Sequence, residues 1–401
     1  MLIVQKYGGT SVGDVERIEN VTNRVAKARE AGDDIVVVVS AMSGETNKLI
    51  GFAEYFTKEP AKKEMDMLLS SGERVTAALL SIALQARGYD AVAMTGRGAG
   101  IVTDNTHTYA RITSIDPTAM QNAIKAGKIV IVAGFQGVDK DGSITTLGRG
   151  GSDLSAVALA GALKADQCEI YSDVDGIYTT DPRIEPNAKK LDSISYDEML
   201  ELSSLGAKVL QSRSVELAKK LGVKLYAKSS FSNNEGTLIT EENENMEEVL
   251  VSGVVLDKNQ ARVTLRGVSD RPGIAAEIFT MLAEANINVD MIIQNRGTDG
   301  STNLGFTVPH SEHEHAKKLM ATFDHDIAGM DFDENVCKVS VVGVGMKSHT
   351  GVAAAAFTVM AKEDINIQMI STSEIKVSMV IDETHGEKAI RALHKAYELD
   401  K

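Results

Sequence analysis

Two glycine-rich stretches place cations where an anion can be handled. Lys6-Tyr7-Gly8-Gly9-Thr10-Ser11 follows the apolar run Leu2-Ile3-Val4 and precedes Val15, Ile18, Val21 and Val25 at helical spacing, with Asp14 as an N-cap candidate. Thr146-Leu147-Gly148-Arg149-Gly150-Gly151-Ser152-Asp153 leads from the apolar run 128–134 into a helical pattern over 152–163. Glycines let a backbone approach a ligand closely, and the free N–H groups of a helix start favour an anion. Ser152 and Asp153 are N-cap types, Lys6 is a point charge, and Arg149 offers a planar fork for carboxylate or phosphate. The alternative reading of each stretch is a plain strand-to-helix turn.

Other polar groups cluster in the same way. Ser172-Asp173-Val174-Asp175-Gly176, Tyr178 and Asp181-Pro182-Arg183 form a dense polar loop after the strand-like run 167–171. In open α/β sheets ligands bind beyond the carboxyl ends of strands, where such a loop falls. Its DxDxG fragment does not complete a twelve-residue calcium loop. Glu73 follows Gly72 within a helical pattern and reads either as a solvated carboxylate or as a grip for an amino group. Lys208 reads as a second phosphate cation or a helix-surface lysine. His310, His313 and His315 alternate with Glu312 and Glu314, the pattern of a solvated face, so no metal site is expected. Neither GxxxxGK[ST] nor a GxGxxG that opens a helix after a strand is present, which excludes a P-loop enzyme and an ordinary dinucleotide fold.

The elements that must position these groups alternate. Ile35-Val36-Val37-Val38-Val39 is a continuous buried-type strand, 90–94, 112–115, 128–133, 167–171 and 223–227 are further strands, and 64–87 reads as one long amphipathic helix. Strand–helix alternation implies an α/β layer with a mostly parallel sheet. The acidic stretch 241–249 reads as a linker, which sets a first domain at 1–240. Beyond it the chain repeats: 262–268 matches 338–344, 273–279 matches 351–357, and 287–292 matches 365–370. Each copy reads as a ferredoxin-like βαββαβ unit, placing domains at 250–336 and 337–401.

The chain has 401 residues, 43% hydrophobic and 24% charged, with a net charge of −14. That length calls for two or three cores. The acidity argues against nucleic acid and anionic membranes as partners. Cys168 and Cys337 lie in apolar runs, which suits free thiols in a reducing compartment. The N-terminus is too quickly charged for a signal peptide and no apolar run suggests a membrane span, so a cytoplasmic setting is expected.

Taken in order, 6–11, 39–42, 71–74, 148–153, 171–183 and 206–209 resemble the aspartokinase family, an amino-acid kinase fold followed by two ACT regulatory domains. The resemblance spans essentially the whole chain and is closest to the lysine- and threonine-regulated bacterial type, with 346–349 and 371–375 contributing. It implies ATP-dependent phosphorylation of the β-carboxylate of L-aspartate to 4-phospho-L-aspartate. This is the first step toward lysine, threonine, methionine and diaminopimelate. By the same resemblance Lys6 and Lys208 neutralise the phosphates, with Asp153 orienting them. Arg149 clamps the substrate α-carboxylate, Glu73 its ammonium, and Ser40, Thr46, Gly150, Gly151 and Ser152 complete the substrate site. Tyr7, Gly8, Gly9, Ser172, Asp173, Tyr178, Asp181 and Arg183 surround ATP, whose oxygens carry Mg²⁺. Asp270, Gly273, Ile274, Ala275 and Gln294 in the first repeat, and Asn366 and Ile367 in the second, match effector positions for lysine and threonine. The run Ala353-Ala354-Ala355-Ala356 departs from relatives that carry Thr or Glu there. A dimer or larger homo-oligomer through the ACT domains is implied, and Met246 falls where some relatives start a separate regulatory subunit. Two other readings remain: a kinase for another amino acid such as N-acetylglutamate or glutamate, and an amino-acid sensor without activity.

Overall fold

The computed structural model describes residues 1–205, 209–242, 250–296, 301–323, 327–347, 349 and 351–401. Lys208, Met246 and most of the expected linker lie outside the described residues. The chain forms two compact units. The first holds Met1–Ile177, Lys190–Ser203 and the described residues of 209–242, and the second holds Tyr178–Lys189, Ser204, Leu205 and the described residues from 250 onward.

An eight-stranded sheet organises the first unit. Its order is Ser193–Ser195, Thr237–Thr240, Leu225–Ser229, Gln167–Ser172, Leu2–Tyr7, Asp34–Val39, Ile129–Ala133, Ala91–Met94. Every pairing is parallel except that of Leu225–Ser229 with Thr237–Thr240. The central strands are valine-rich because both faces are covered. On one face, Ile18, Val21 and Val25 of the helix Val15–Glu30 and Ala77, Leu80 and Leu84 of Ser71–Ala86 pack on Ile3, Tyr7, Ile35, Val37 and Ile131. Asp14 caps the first of these helices through Arg17 N–H at 2.8 Å. The helix Gly151–Leu163 packs against Leu2–Tyr7, Asp34–Val39 and Gln167–Ser172. It is apolar on nearly every side and almost wholly buried.

The expected single helix over 64–87 is two, Lys62–Leu69 and Ser71–Ala86, meeting at the fully buried Ser70. The Ser70 carbonyl there accepts Gln136 Nε2 at 2.9 Å and Arg74 Nε at 3.3 Å. Contrary to the expected absence of any membrane-length run, the stretch Lys62–Ala86 is long and apolar enough to cross a membrane by composition. Half of that window is buried in this unit, as in a core helix. A second sheet, Ile112–Ile115, Ile101–Thr103, Gln136–Val138, Ile144–Thr146, was mostly hidden from pattern reading because three of its strands are three residues long.

The second unit is one antiparallel six-stranded sheet: Ile292–Arg296, Ser301–Val308, Gly253–Ser269, Gly329–Val342, Lys376–Asp382, Met369–Thr372. Its two long central strands serve both repeats. Residues 261–269 pair with 301–308 and enclose the first core, around Val263, Ile278, Leu282, Phe306 and Met320. Residues 253–257 pair with 338–342 and belong to the second core, with Val254, Val339, Ala356, Met379 and Leu393. The second copy is therefore completed by a strand that precedes the first copy in sequence, and a border at 336/337 does not separate the two cores.

Residues 178–189 also fall elsewhere than the expected 1–240 domain, because their bonds go to the second unit. Thr179 O accepts Val254 N–H at 2.8 Å, Thr179 Oγ1 lies 3.0 Å from His394 Nε2, and Ile184 O accepts Arg391 Nε at 3.1 Å. Ile184 itself packs on the second core. His313, expected on a solvated face, is buried: its ring meets Phe332 edge-on and Nδ1 lies 3.3 Å from Glu334.

Candidate active site

Five neighbouring parallel strands end level with one another. Beyond those ends the ladder continues by one bond each: Gly8 N–H to Tyr171 O, Ser40 N–H to Tyr7 O, Gly134 N–H to Val39 O, and Ser230 N–H to Ser172 O, all between 2.9 and 3.1 Å. Gly8, Ser40, Gly134 and Ser172 thus share one edge of the sheet. The side-chain alternation of the first strand sends Tyr7 to one face and Lys6 to the other, toward the helix Gly151–Leu163. There Lys6 Nζ pairs with Asp153 Oδ1 at 2.6 Å, with both side chains about nine-tenths buried. An ion pair this dry holds an ammonium at a fixed point beside the glycine loops.

Glu73 projects from the first turn of Ser71–Ala86 and is 4% exposed. Its Oε1 accepts the Ala41 N–H at 3.1 Å, while Oε2 is buried with no hydrogen-bond partner among the described residues. Burial pushes its pKa up to about 7, against the Ala41 bond, which favours the charged form. A buried carboxylate oxygen with an unused lone pair suits a cationic group brought in by a ligand.

The loop after Thr146 turns twice through left-handed glycines, Gly148 and Gly150, and then enters the helix. The N-cap is Gly150, so Ser152 and Asp153 are not caps but lie inside the first turn. The reason is space: a Cβ on Gly150 would lie 2.0 Å from Gln211 Cγ, and its φ of +72° disfavours other residues. Ser152 abuts Gly134, whose added Cβ would lie 3.0 Å from its hydroxyl. Arg149 is exposed and has no hydrogen bond or ion pair among the described residues, leaving its fork available. Thr46 lies in the first turn of Glu45–Phe56.

The polar loop is divided. Ser172 stays at the sheet edge, its Oγ accepting Val174 N–H at 3.2 Å, and Asp173 is exposed. Tyr178, Asp181 and Arg183 ride on the segment that belongs to the second unit. Arg183 forms a bidentate pair with Asp181 at 3.0 and 2.7 Å, which holds the Asp181 carboxyl below its usual range. Cys168 and Cys337 are buried free thiols, and burial raises the pKa of both, Cys337 to about 12.

In the second unit, Asp270 pairs with Arg296 at 2.9 Å, which joins the loop before Gly273 to the edge strand that carries Gln294. Ile274 and Ala275 start the adjoining helix, capped by Gly273 at φ +97°. Asn366 and Ile367 sit elsewhere in their copy, between the helix Val352–Lys362 and the strand Met369–Thr372.

Sequence reading passed over three residues at the site. The Ala41 backbone N–H gives no side-chain signal. Phe135, at φ +69°, bonds through its N–H to Ser155 Oγ at 3.1 Å and lays its ring against Gly151. Its position directly after a strand-ending glycine was the available signal. Asp66, a fully buried carboxylate, was masked by the helical pattern around it.

Comparison with known proteins places this geometry. The family model described as the amino acid kinase family matches residues 1–228, and ACT domain models match 263–324 and 339–397. An aspartokinase of Helicobacter pylori is 58% identical over the full length of both chains. An aspartokinase of Pseudomonas aeruginosa is 56% identical, covering 100% of this chain and 98% of the relative. The structure of E. coli aspartokinase III in complex with aspartate and ADP, described as its R-state, aligns at a TM-score of 0.82 and 26% identity over 99% of both chains. Its complex with lysine and aspartate, the T-state, aligns at 0.80 and 26% identity over 98% of this chain and 99% of that one.

Proposed function

The chain belongs to the aspartokinase family and is an aspartate kinase, and on that premise we propose that it transfers the γ-phosphoryl group of ATP to the β-carboxylate of L-aspartate. The products are ADP and 4-phospho-L-aspartate, in the first step of the aspartate pathway, under feedback control by lysine and threonine. The observation that carries the reading is Glu73 Oε2, buried and without a hydrogen-bond partner among the described residues, where an α-ammonium would satisfy it. An acetylated amino group could not do so, which disfavours an N-acetylglutamate kinase.

The substrate β-carboxylate is already a nucleophile, so the residues have to position it and neutralise charge rather than remove a proton. Glu73 holds the ammonium and Arg149 the α-carboxylate. Ser40, Thr46 and Ser152 supply hydroxyls, and Gly150 and Gly151 leave room. Lys6, fixed by Asp153, neutralises the transferring phosphate, a role the family resemblance extends to Lys208 outside the described residues, while Gly8 and Gly9 let the backbone come close. Ser172 and Asp173 face the nucleotide at the sheet edge; Tyr7 offers only its backbone there, since its side chain is fully buried in the core, and Tyr178, Asp181 and Arg183, expected beside them, belong to the second unit. Asp153 is engaged by Lys6, and no group of three His, Cys, Asp or Glu side chains among the described residues could hold a metal ion. This donor set fits Mg²⁺ that arrives on the nucleotide, where it neutralises phosphate oxygens.

E. coli aspartokinase III was solved with lysine. For this chain the joined patch of Asp270, Gly273, Ile274, Ala275 and Gln294 is the favoured effector site, with Asn366 and Ile367 secondary. The outer strands Ile292–Arg296 and Met369–Thr372 have no further strand beside them among the described residues and expose Ile292 and Ile370, which supports self-association through this unit. Buried free thiols support a reducing, cytoplasmic setting. The test is ADP release from Mg-ATP with L-aspartate, with the acyl phosphate trapped by hydroxylamine, in the presence and absence of lysine and threonine. Trapped hydroxamate and suppression by the two effectors support the whole reading. Hydroxamate without suppression removes the feedback assignment, and no hydroxamate removes the product assignment.

A further inference from the structure

We propose that Asp66, His107 and Thr146 form a positioning cluster that sets the spacing between Glu73 and Arg149 and thereby the enzyme's selectivity for L-aspartate. The inference rests on the reading of Glu73 and Arg149 given above. Asp66 lies on the helix Lys62–Leu69 and is fully buried. Two other segments converge on its carboxylate. His107 Nδ1 lies 2.6 Å from Oδ2, Thr108 N–H donates to both oxygens at 3.0 and 3.2 Å, and Thr146 Oγ1 donates to Oδ1 at 2.5 Å.

The Asp66 helix and the Thr146 strand continue directly into the substrate site, and the segment 107–110 braces the second of them. The Asp66 helix runs through Ser70 into Ser71–Ala86, which presents Glu73. Thr146 ends its strand and is followed by Leu147, Gly148 and Arg149. The segment 107–110 is strapped over that turn: Ala110 N–H donates to Thr146 O at 2.9 Å, and the Tyr109 ring lies 2.5 Å from where a Gly148 Cβ would sit. Arg213 closes the strap with bonds to Leu147 O at 2.7 Å and Ala110 O at 3.3 Å. Thr108 holds a left-handed φ of +71°, a strained conformation for a threonine, and its N–H is fixed by the Asp66 carboxylate. Asp66 touches no atom assigned to substrate. It ties the element that carries the ammonium grip to the loop that carries the α-carboxylate clamp, and a displacement of about an ångström between such groups is enough to matter.

The consequence is selective. Loosening the cluster weakens the two-point hold on the amino-acid head group but leaves Lys6 and Asp153 in place. His107→Ala is expected to raise the KM for L-aspartate about tenfold, to leave the KM for ATP within about twofold, and to lower the preference for L- over D-aspartate. His107→Asn, whose amide nitrogen can take the place of Nδ1, is expected to recover most of the loss. Thr146→Val removes one bond with little change of shape and is expected to show the same split. Thermal unfolding of each variant separates these effects from loss of fold. If the two KM values move together, if neither moves, or if His107→Asn behaves like His107→Ala, the inference is overturned. Glu73→Gln in the same series tells which reading failed. A raised aspartate KM there with no effect at His107 removes only the positioning cluster, whereas no effect at either residue removes the substrate assignment as well.

Discussion

Glu73 Oε1 accepts the Ala41 N–H at 3.1 Å, across 32 residues of sequence. That bond fixes the carboxylate by one oxygen and leaves the other buried, with no partner among the described residues. A carboxylate in that state is held near its titration point by burial, and its charge is completed by the substrate.

A pH dependence follows from the Glu73 pKa of about 7. Below that pH the free enzyme carries Glu73 neutral and grips an ammonium poorly. The kcat/KM for aspartate is expected to rise as pH increases through about 7 and then level off, with the ATP parameter moving less. Glu73→Gln is expected to flatten that profile and raise the aspartate KM by about ten- to a hundredfold, the worth of one charge-assisted hydrogen bond. Initial-rate profiles of both proteins between acid and mildly alkaline pH check it.

Lys6 tests the phosphate site. Lys6 is not a loop residue but a buried strand residue paired with Asp153. Lys6→Ala is therefore expected to abolish turnover and also to destabilise the protein by about 3–5 kcal/mol, because the Asp153 charge is left alone. Lys6→Met with Asp153→Asn is expected to recover the melting temperature but not the turnover. Calorimetry beside the activity assay distinguishes the two effects.

Gly150→Ala is expected to cut kcat/KM by more than about tenfold, from a left-handed φ and a clash with the Gln211 side chain. Adding Gln211→Ala removes the contacts at Cγ and Cδ but leaves Gln211 Cβ 2.8 Å from the new methyl, together with a backbone strain of about 1–2 kcal/mol, so rescue is expected to be partial. Full rescue by the second change would show that the conformation itself is dispensable.

Thr179→Val removes the acceptor for Lys189 N–H at 3.0 Å and the partner of His394. Stranding buried polar groups costs about 1–3 kcal/mol, here concentrated on 178–189. Faster amide exchange in that segment and a higher KM for ATP, with aspartate little affected, are expected because Tyr178, Asp181 and Arg183 ride on it. An unchanged KM for ATP would separate the segment from nucleotide binding.

Asp270→Ala breaks the pair with Arg296 and is expected to weaken inhibition by lysine while uninhibited turnover stays within about twofold. Inhibition curves for each effector, alone and together, measure it.

The sequence by itself determined the parts with local causes. Valine runs specified buried parallel strands, the repeated pattern after 250 specified two related regulatory copies, and the glycines around Lys6 and Arg149 marked the turns at strand ends, because periodicity and backbone freedom act over a few residues. Tertiary structure alone decided what lies far apart in the chain. Asp66 meets Thr146 across 80 residues, and residues 253–257 complete the fold of a copy whose other elements begin near 336. The segment 178–189 leaves the kinase sheet for the second core. None of these has a local signature. Each is selected by which surfaces remain to be buried and which polar groups still need partners once the strands have paired.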